Sequence, residues 1–425
     1  MMERQVYSLL FYLIQPLIWL RLLWRARKQP EYLQNLGERY GHYVQPAPAR
    51  LLWLHAVSVG ETRAAEPLIQ ALLDEYTDHS LLLTHMTPTG RATGAELIAK
   101  YGSRLIQAYL PYDLPGASGR FLDHFKPCLG LLMETELWPN LIAGAKARRM
   151  PLLLVNARLS ARSQRGYRRL LNLFRPAFDS LRAVAAQTPA DAERLMSIGA
   201  QRVSVVGNLK FDVIPSPAKL QLGSQWRQKL GARPVWLAAS TREGEESLIV
   251  DAFVRLNRPD LLLLLVPRHP QRFREVRTLI EERGLTLCRR SENSLPVSET
   301  RVWLGDSMGE MPAYFTVADV ALIGGTLLPF GGQNLIEAAA CDCPALVGPH
   351  SFNFSQATDD AIACGAAMRI ADADDAANKV LRLLNDRAAL QAMRDAAAGF
   401  GQAHRGATSR TVALIREIKA PRTAN

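Results

Sequence analysis

From Leu51 onward the chain alternates short apolar runs with longer helix-like stretches, and that alternation leaves few folds open. The runs are LLWLHAVSV (Leu51 to Val59), LLLTHMT (Leu81 to Thr87), LIQAYLPY (Leu105 to Tyr112), CLGLLME (Cys128 to Glu134), LLLVNA (Leu152 to Ala157), AVAAQT (Ala183 to Thr188) and VSVVGN (Val203 to Asn208). Strands that are apolar along their whole length are buried on both faces, and strands alternating with helices build a parallel sheet covered on both sides. The period breaks at IPSPAKL (Ile214 to Leu220), a proline-bearing linker without helical or strand periodicity. A second series follows: PVWLAAS (Pro234 to Ser240), LLLLLVPRH (Leu261 to His269), LTLCRR (Leu285 to Arg290), VWLGD (Val302 to Asp306), VALIGG (Val320 to Gly325) and PALVGP (Pro344 to Pro349). The expected fold class is α/β, with two doubly wound, Rossmann-like domains facing across a cleft, and 425 residues at 48% hydrophobic content suffice for two cores. Ligands of such sheets sit beyond the carboxyl ends of the strands.

Ahead of the first run lies VYSLLFYLIQPLIWL (Val6 to Leu20), apolar and uncharged, followed by Arg21, Arg25, Arg27 and Lys28. With Arg21 snorkelling it approaches the length of a spanning helix, so it reads as a membrane anchor that spans or lies in the interface. No small-residue cleavage site follows, and the basic cluster puts the remainder on the cytoplasmic face. A buried amphipathic helix of the soluble fold is the alternative. Residues 1–30 are thus expected as anchor, 31–212 as the first domain and 213–425 as the second. The net charge of +11 draws polyanions, whether bilayer, phosphorylated substrate or nucleic acid. No RNA-binding or helix-turn-helix signature accompanies it, so no nucleic-acid partner is expected. The five cysteines are odd in number and scattered, which suggests neither a disulfide framework nor a zinc site.

Polar residues gather where the strands end. In HAVSVGE (His55 to Glu61) a strand gives way to a helix expected over Thr62 to Leu73, and Glu61 suits a general base, although Ser58 and Glu61 also fit an S-x-x-E capping box. METELWPN (Met133 to Asn140) closes an apolar strand with Glu134 and Glu136, costly there unless exposed or paired; Glu134 would orient reacting groups, or form a rim carboxylate paired with an arginine. Lys210 in GNLKFD could hold an anion or be a solvated lysine. In the second domain VPRHP offers Arg268 and His269 to a phosphate. GDSMGEM carries Met308, Gly309 and Glu310 at a helix start, whose backbone N–H groups suit a nucleotide. Gly324, Gly325, Gly331 and Gly332 surround a loop opening a helix near Asn334, Leu335, Ile336 and Glu337, where Glu337 can accept ribose hydroxyls. Ser240 and Glu243 fit a further capping box. ARLSARSQRGYRRLLNLFRP (Ala157 to Pro176) carries Arg158, Arg162, Arg165, Arg168, Arg169 and Arg175, either a solvated helix face or a surface for acidic headgroups.

In this order HAVSVGET, MTPTG, YLPYDLP, METELWPN, NARLSARS, VPRHP, GDSMGE and the GG…GGxN…E run resemble the 3-deoxy-D-manno-octulosonic acid (Kdo) transferases of lipopolysaccharide assembly. The resemblance covers nearly the whole chain. It implies the GT-B architecture, acceptor on the first domain and donor nucleotide on the second. It further implies an inner-membrane enzyme that transfers Kdo from CMP-Kdo to a lipid A precursor with inversion, without a metal or other cofactor, among anionic inner-membrane lipids. Glu61 then matches the catalytic base, Glu134 and Lys210 the supporting charges, and Arg268, His269, Met308 to Glu310 and Asn334 to Glu337 the CMP contacts. Arg242 and Gln333 stand where related sequences are expected to carry histidine, so phosphate contacts there would differ in detail. Two other readings stay open: a GT-B enzyme with a UDP-sugar donor and another lipid acceptor, and a non-enzymatic scaffold for anionic lipid.

Overall fold

The computed structural model describes residues 2–419. Two compact units divide them, one formed by residues 2–213 with 405–419 and the other by 214–404. The first carries the strands β1 (Leu51–His55), β2 (Ser80–His85), β3 (Leu105–Tyr109), β4 (Leu129–Met133), β5 (Leu152–Ala157), β6 (Ala183–Ala186) and β7 (Val203–Val205). The second carries β8 (Val235–Thr241), β9 (Leu262–Pro267), β10 (Leu287–Arg289), β11 (Val302–Leu304), β12 (Val320–Ile323), β13 (Ala345–Val347) and β14 (Ala367–Arg369). All pairings are parallel, ordered β3-β2-β1-β4-β5-β6-β7 and β10-β11-β9-β8-β12-β13-β14. Continuous apolar strands are what a sheet buried on both faces needs: every residue of β1, β4, β5 and β9 is buried. On one face of the first sheet Trp53 lies against β4 at Gly130, where a Cβ would stand 2.7 Å from the indole, so glycine is required at that strand position.

The structure corrects several expectations. The linker is shorter than IPSPAKL, because Pro217 opens a helix running to Leu230; proline suits a first turn, where its missing N–H is no loss. The strand β14 carries no apolar run and escaped the pattern. The second domain does not extend to the end of the chain: the helix Ala407–Lys419 belongs to the first unit, with Ala407, Val412 and Ile415 buried beside Val206 and Leu209. Met1 and residues 420–425, the extremities of the expected anchor and second domain, lie outside the described residues.

The expected single anchor helix is two, Met2–Leu13 and Gln15–Ala26, bent by 47°. Pro16 causes the break, since its ring cannot donate to the preceding turn and clashes with the carbonyl four residues back. Among the described residues no single helix is long and apolar enough to cross a membrane, and only the bent pair reaches that length and composition. One side of the pair is fastened to the first unit. Leu22 packs with Tyr112, Leu114 and Ala117, Trp19 stacks on Tyr40, and the Ser8 hydroxyl donates to Asn140 Oδ1 at 3.1 Å. Asp113 completes the joint, hydrogen-bonded to the Tyr7 hydroxyl while accepting from the Asn140 and Leu141 N–H groups at 3.0 and 2.8 Å. It thereby caps the helix Pro139–Ala147, and burial pushes its carboxyl up to about 6. The other side stays open: Leu9, Leu13, Leu17, Leu20 and Trp24 are each 60% or more exposed.

Candidate functional site

The strand order reverses between β1 and β4 in the first sheet and between β8 and β12 in the second, where β10 additionally lies outside β11. Beyond the carboxyl ends of strands at such a reversal, the flanking loops part and leave room for a ligand. Glu61 follows β1 and Glu134 follows β4, so both stand at the first reversal. The second is flanked by the loops after β8 and β12, the latter containing Asn334, while Arg268 follows β9 and Glu310 follows β11. Glu61, Glu134 and Asn334 thus follow strands that border the reversals, whereas Arg268 and Glu310 follow strands one and two places away from the second.

At the first reversal the helix after β1 spans Val59–Glu75, three residues earlier than expected, and Ser58 makes no side-chain cap bond. The capping box is rearranged. Glu61 Oε2 accepts from the Val57 N–H at 2.9 Å, and the Ser58 hydroxyl donates to Glu61 Oε1 at 3.1 Å, so Glu61 organises the turn instead of receiving a standard cap. Burial, reinforced by the charge of Glu134, pushes the Glu61 carboxyl up to about 7. Glu134 has a left-handed backbone (φ 56°), which turns the chain abruptly out of β4. Its carboxylate is bridged by Lys210 Nζ at 3.4 Å and Arg158 Nε at 3.3 Å. Glu134 is thus paired with an arginine, as the rim-carboxylate reading expected, and its charge acts on Glu61. Lys210 is not a solvated lysine, for its side chain is only 14% exposed. Glu136, seen in the sequence without a catalytic role, joins the group; burial, with the charge of Glu134 adding to it, pushes its carboxyl up to about 7. Arg158 was legible only as one arginine in a basic run, and nothing in the sequence tied it to Glu134.

The arginine-rich stretch forms two helices, Ala161–Arg169 and Leu171–Ser180. Arg162, Arg165, Arg168, Arg169 and Arg175 are exposed, and the helix Leu171–Ser180 neighbours Met2–Leu13. The exposed apolar helix pair therefore adjoins, on one unit, a helix pair whose first member, Ala161–Arg169, is exposed and basic.

In the second unit Ser240 and Glu243 form no capping box. Ser240 sits inside β8 with a left-handed backbone at a break in register, and the following helix begins at Glu245 behind Gly244. The organising carboxylate is Glu245, which the sequence reading missed. Fully buried, it accepts from the Arg242, Gly325 and Leu327 N–H groups at 2.8, 2.6 and 2.9 Å, tying the loop after β8 to the loop after β12. An acidic residue in a helix's first turn behind a glycine was its only trace in the sequence. Gly324 permits the close approach, since a Cβ there would meet the Ser240 carbonyl at 2.4 Å. Arg268 is part-buried and its N–H donates to Thr241 O; His269 is exposed. Desolvation first, then Arg242, Arg268 and Arg272, holds the His269 imidazole below its ordinary value, so this end of the sheet is electropositive. The guanidinium of Arg242 lies 4.7 Å over the Phe330 ring. At the turn after β11, Met308 and Gly309 are exposed, whereas the Glu310 carboxylate is taken by Arg290 at 2.9 Å and Lys219 at 3.6 Å. In the last segment the helix is only Ile336–Ala339; the Leu335 and Ile336 side chains are buried, and Asn334 Nδ2 donates to Glu337 Oε1 at 3.1 Å. Leu335 and Ile336 accordingly have only backbone to offer a ligand.

A family model described as 3-deoxy-D-manno-octulosonic-acid transferase (kdotransferase) matches residues 34–213. The chain is 47% identical to the 3-deoxy-D-manno-octulosonic acid transferase of Bordetella pertussis, over 98% of this chain and 99% of that one. To the Haemophilus influenzae protein of the same name it is 35% identical, over 98% of each. Among solved structures, Anabaena HepE in complex with UDP superimposes with a TM-score of 0.59 over 88% of this chain and 100% of that chain, at 15% identity, which is a likeness of fold.

Proposed function

The chain belongs to the Kdo transferases, a family of glycosyltransferases, and from that premise we propose that it transfers Kdo from CMP-Kdo to a lipid A precursor by an inverting, metal-independent displacement. Glu61 removes the proton from a primary hydroxyl of the acceptor glucosamine, that oxygen attacks the anomeric carbon of Kdo, and CMP departs. The observation that carries the reading is the arrangement of Glu61, a part-buried carboxyl raised to about 7, beside Glu134, which two cations hold in place. A base needs a pKa near the working pH, and one base suffices for inversion. CMP is a good leaving group; in this reading Arg268 and helix N-termini of the second unit meet its charge, and Lys210 supports the displacement beside Glu134. The Arg268 and His269 turn, Met308 to Glu310 and Asn334 to Glu337 bind the nucleotide in the second unit, and the acceptor binds the first.

The exposed apolar helix pair and the neighbouring arginines suit the cytoplasmic face of an inner membrane, with apolar side chains in the acyl boundary and guanidinium groups among acidic headgroups.

The deciding experiment supplies CMP-Kdo, generated in place because it decays, and tetra-acylated lipid A precursor, then weighs the lipid by mass spectrometry. A gain of one or more Kdo masses, undiminished by a chelator and reduced roughly a hundredfold or more in E61Q, is expected. Transfer from a UDP-sugar instead, or full turnover in folded E61Q, would overturn the donor or the base respectively.

A further inference from the structure

Lys210 stands on a single 3-10 turn, Leu209–Asp212, and an isolated turn of that kind does not hold a lysine ammonium against a carboxylate by itself. The side chains around the turn do so. Asn208 Oδ1 accepts the Lys210 N–H at 3.0 Å, and Asp212 accepts the Gly406 and Thr408 N–H groups at 2.6 and 2.5 Å. The third tie comes from far away in sequence: Asn156 Oδ1 accepts the Leu209 N–H at 3.0 Å.

Asn156 is unusual in three respects. It is fully buried, its backbone is left-handed (φ 50°), and its Nδ2 finds no acceptor among the described residues. A non-glycine left-handed residue and an unsatisfied buried donor are both unfavourable, and they persist where the surroundings require that residue in that pose. Asparagine tolerates this backbone better than most side chains. Its neighbours define the requirement. The residue before it, Val155, accepts the Glu134 N–H at 3.0 Å, and two residues after it Arg158 bridges the Glu134 carboxylate. Its own carbonyl accepts from Gln187 Nε2 at 2.9 Å, which fixes the peptide. Asn156 thus links the strand segment that takes the Glu134 N–H and carries Arg158 to the turn that carries Lys210.

We propose that Asn156 is a positioning residue of the transfer reaction: from its left-handed backbone it fixes the Leu209 amide, and so holds Lys210 on Glu134 in the geometry that turnover needs. This rests on the reading above, in which Glu134 and Lys210 support the displacement. Asn156 reaches no substrate itself; it acts through Lys210.

The test uses the full chain and the variants N156A, N156G, K210A and N156G/K210A. Turnover and both KM values are measured with CMP-Kdo and lipid acceptor, melting is followed by circular dichroism, and acylation of Lys210 by an amine-reactive ester is mapped by peptide mass spectrometry. In N156G kcat should fall by about tenfold or more with both KM values within about twofold, and Lys210, protected in the parent, should become acylated. In the K210A background the same change should alter kcat by less than about twofold, since the two residues act as one unit. Glycine adopts the left-handed backbone without strain, so N156G carries the comparison if N156A does not fold. A folded N156G with parental kcat and a protected Lys210, beside a slow K210A, overturns the role of Asn156 alone. Parental kcat in K210A overturns that role together with the role of Lys210. Equal independent losses in the double variant reduce Asn156 to a structural residue and likewise overturn the proposal.

Discussion

Glu75 and Glu61 share a side chain and differ in everything around it. Glu75 lies in open solvent, where Arg416 holds its carboxyl below the usual range, while burial and the charge of Glu134 push Glu61 up to about 7. The base must be ionised, so kcat/KM should rise with pH through an apparent value near 7, which belongs to the coupled carboxylates together. Removing a negative neighbour eases ionisation of Glu61, so E136Q should move that limb of the pH profile to lower pH. An unchanged limb would detach Glu136 from the base. The sign for stability runs oppositely. A carboxyl raised from 4.5 to about 7 carries no penalty below the ordinary value and destabilises the fold progressively as pH rises from 4.5 to about 7, where the unfolded chain ionises and the native one does not. Urea unfolding should accordingly find E136Q more stable than the parent at pH 8 by on the order of 1 kcal/mol or more, with the gain vanishing near pH 4. The candidate base, its glutamate neighbours and the lysine were legible as polar residues ending apolar strands. Arg158, Glu245 and Asn156 were not, because each acts on a partner distant in sequence.

At the scale of elements, the N-terminal helices show how much a local signal conveys. Apolar residues followed by a basic cluster marked the segment, and Pro16 accounts for its bend; which side packs on the first unit depended on Asp113 and Asn140, more than a hundred residues away. D113A leaves the Asn140 and Leu141 amides without their acceptor and should cost about 2–3 kcal/mol in unfolding free energy, read by urea titration. The triple change L13S/L17S/L20S removes apolar area only from the open side. It should weaken flotation with anionic vesicles about tenfold or more while leaving the melting temperature unchanged, and equal flotation would place the membrane contact elsewhere. The three-residue strand β14 marks the opposite limit: a strand this short, with only one of its residues fully buried, has too few positions for any periodicity to declare itself.

At the scale of the whole molecule, the chain leaves the first unit at Val213, builds the second and returns, so that Ala407–Lys419 closes the core beside the turn of Lys210. Truncation after His404 removes Ala407, Val412 and Ile415 from that core and should cost at least about 3 kcal/mol in the first unit. Thermal protection by CMP, which the second unit binds in the proposed function, should survive the truncation; its loss would show that donor binding needs more than residues 214–404. The amino-acid order by itself determined the parallel sheets, the division near Val213 and the strand ends that carry polar chemistry, because an apolar run buried on both faces needs only its neighbours in sequence to be recognised. Tertiary structure alone decided the strand order that puts β1 beside β4, the pairing of Glu134 with Arg158 and Lys210, and the return of the last helix to the first core. Those depend on contacts between residues far apart along the chain, and no local periodicity carries that information.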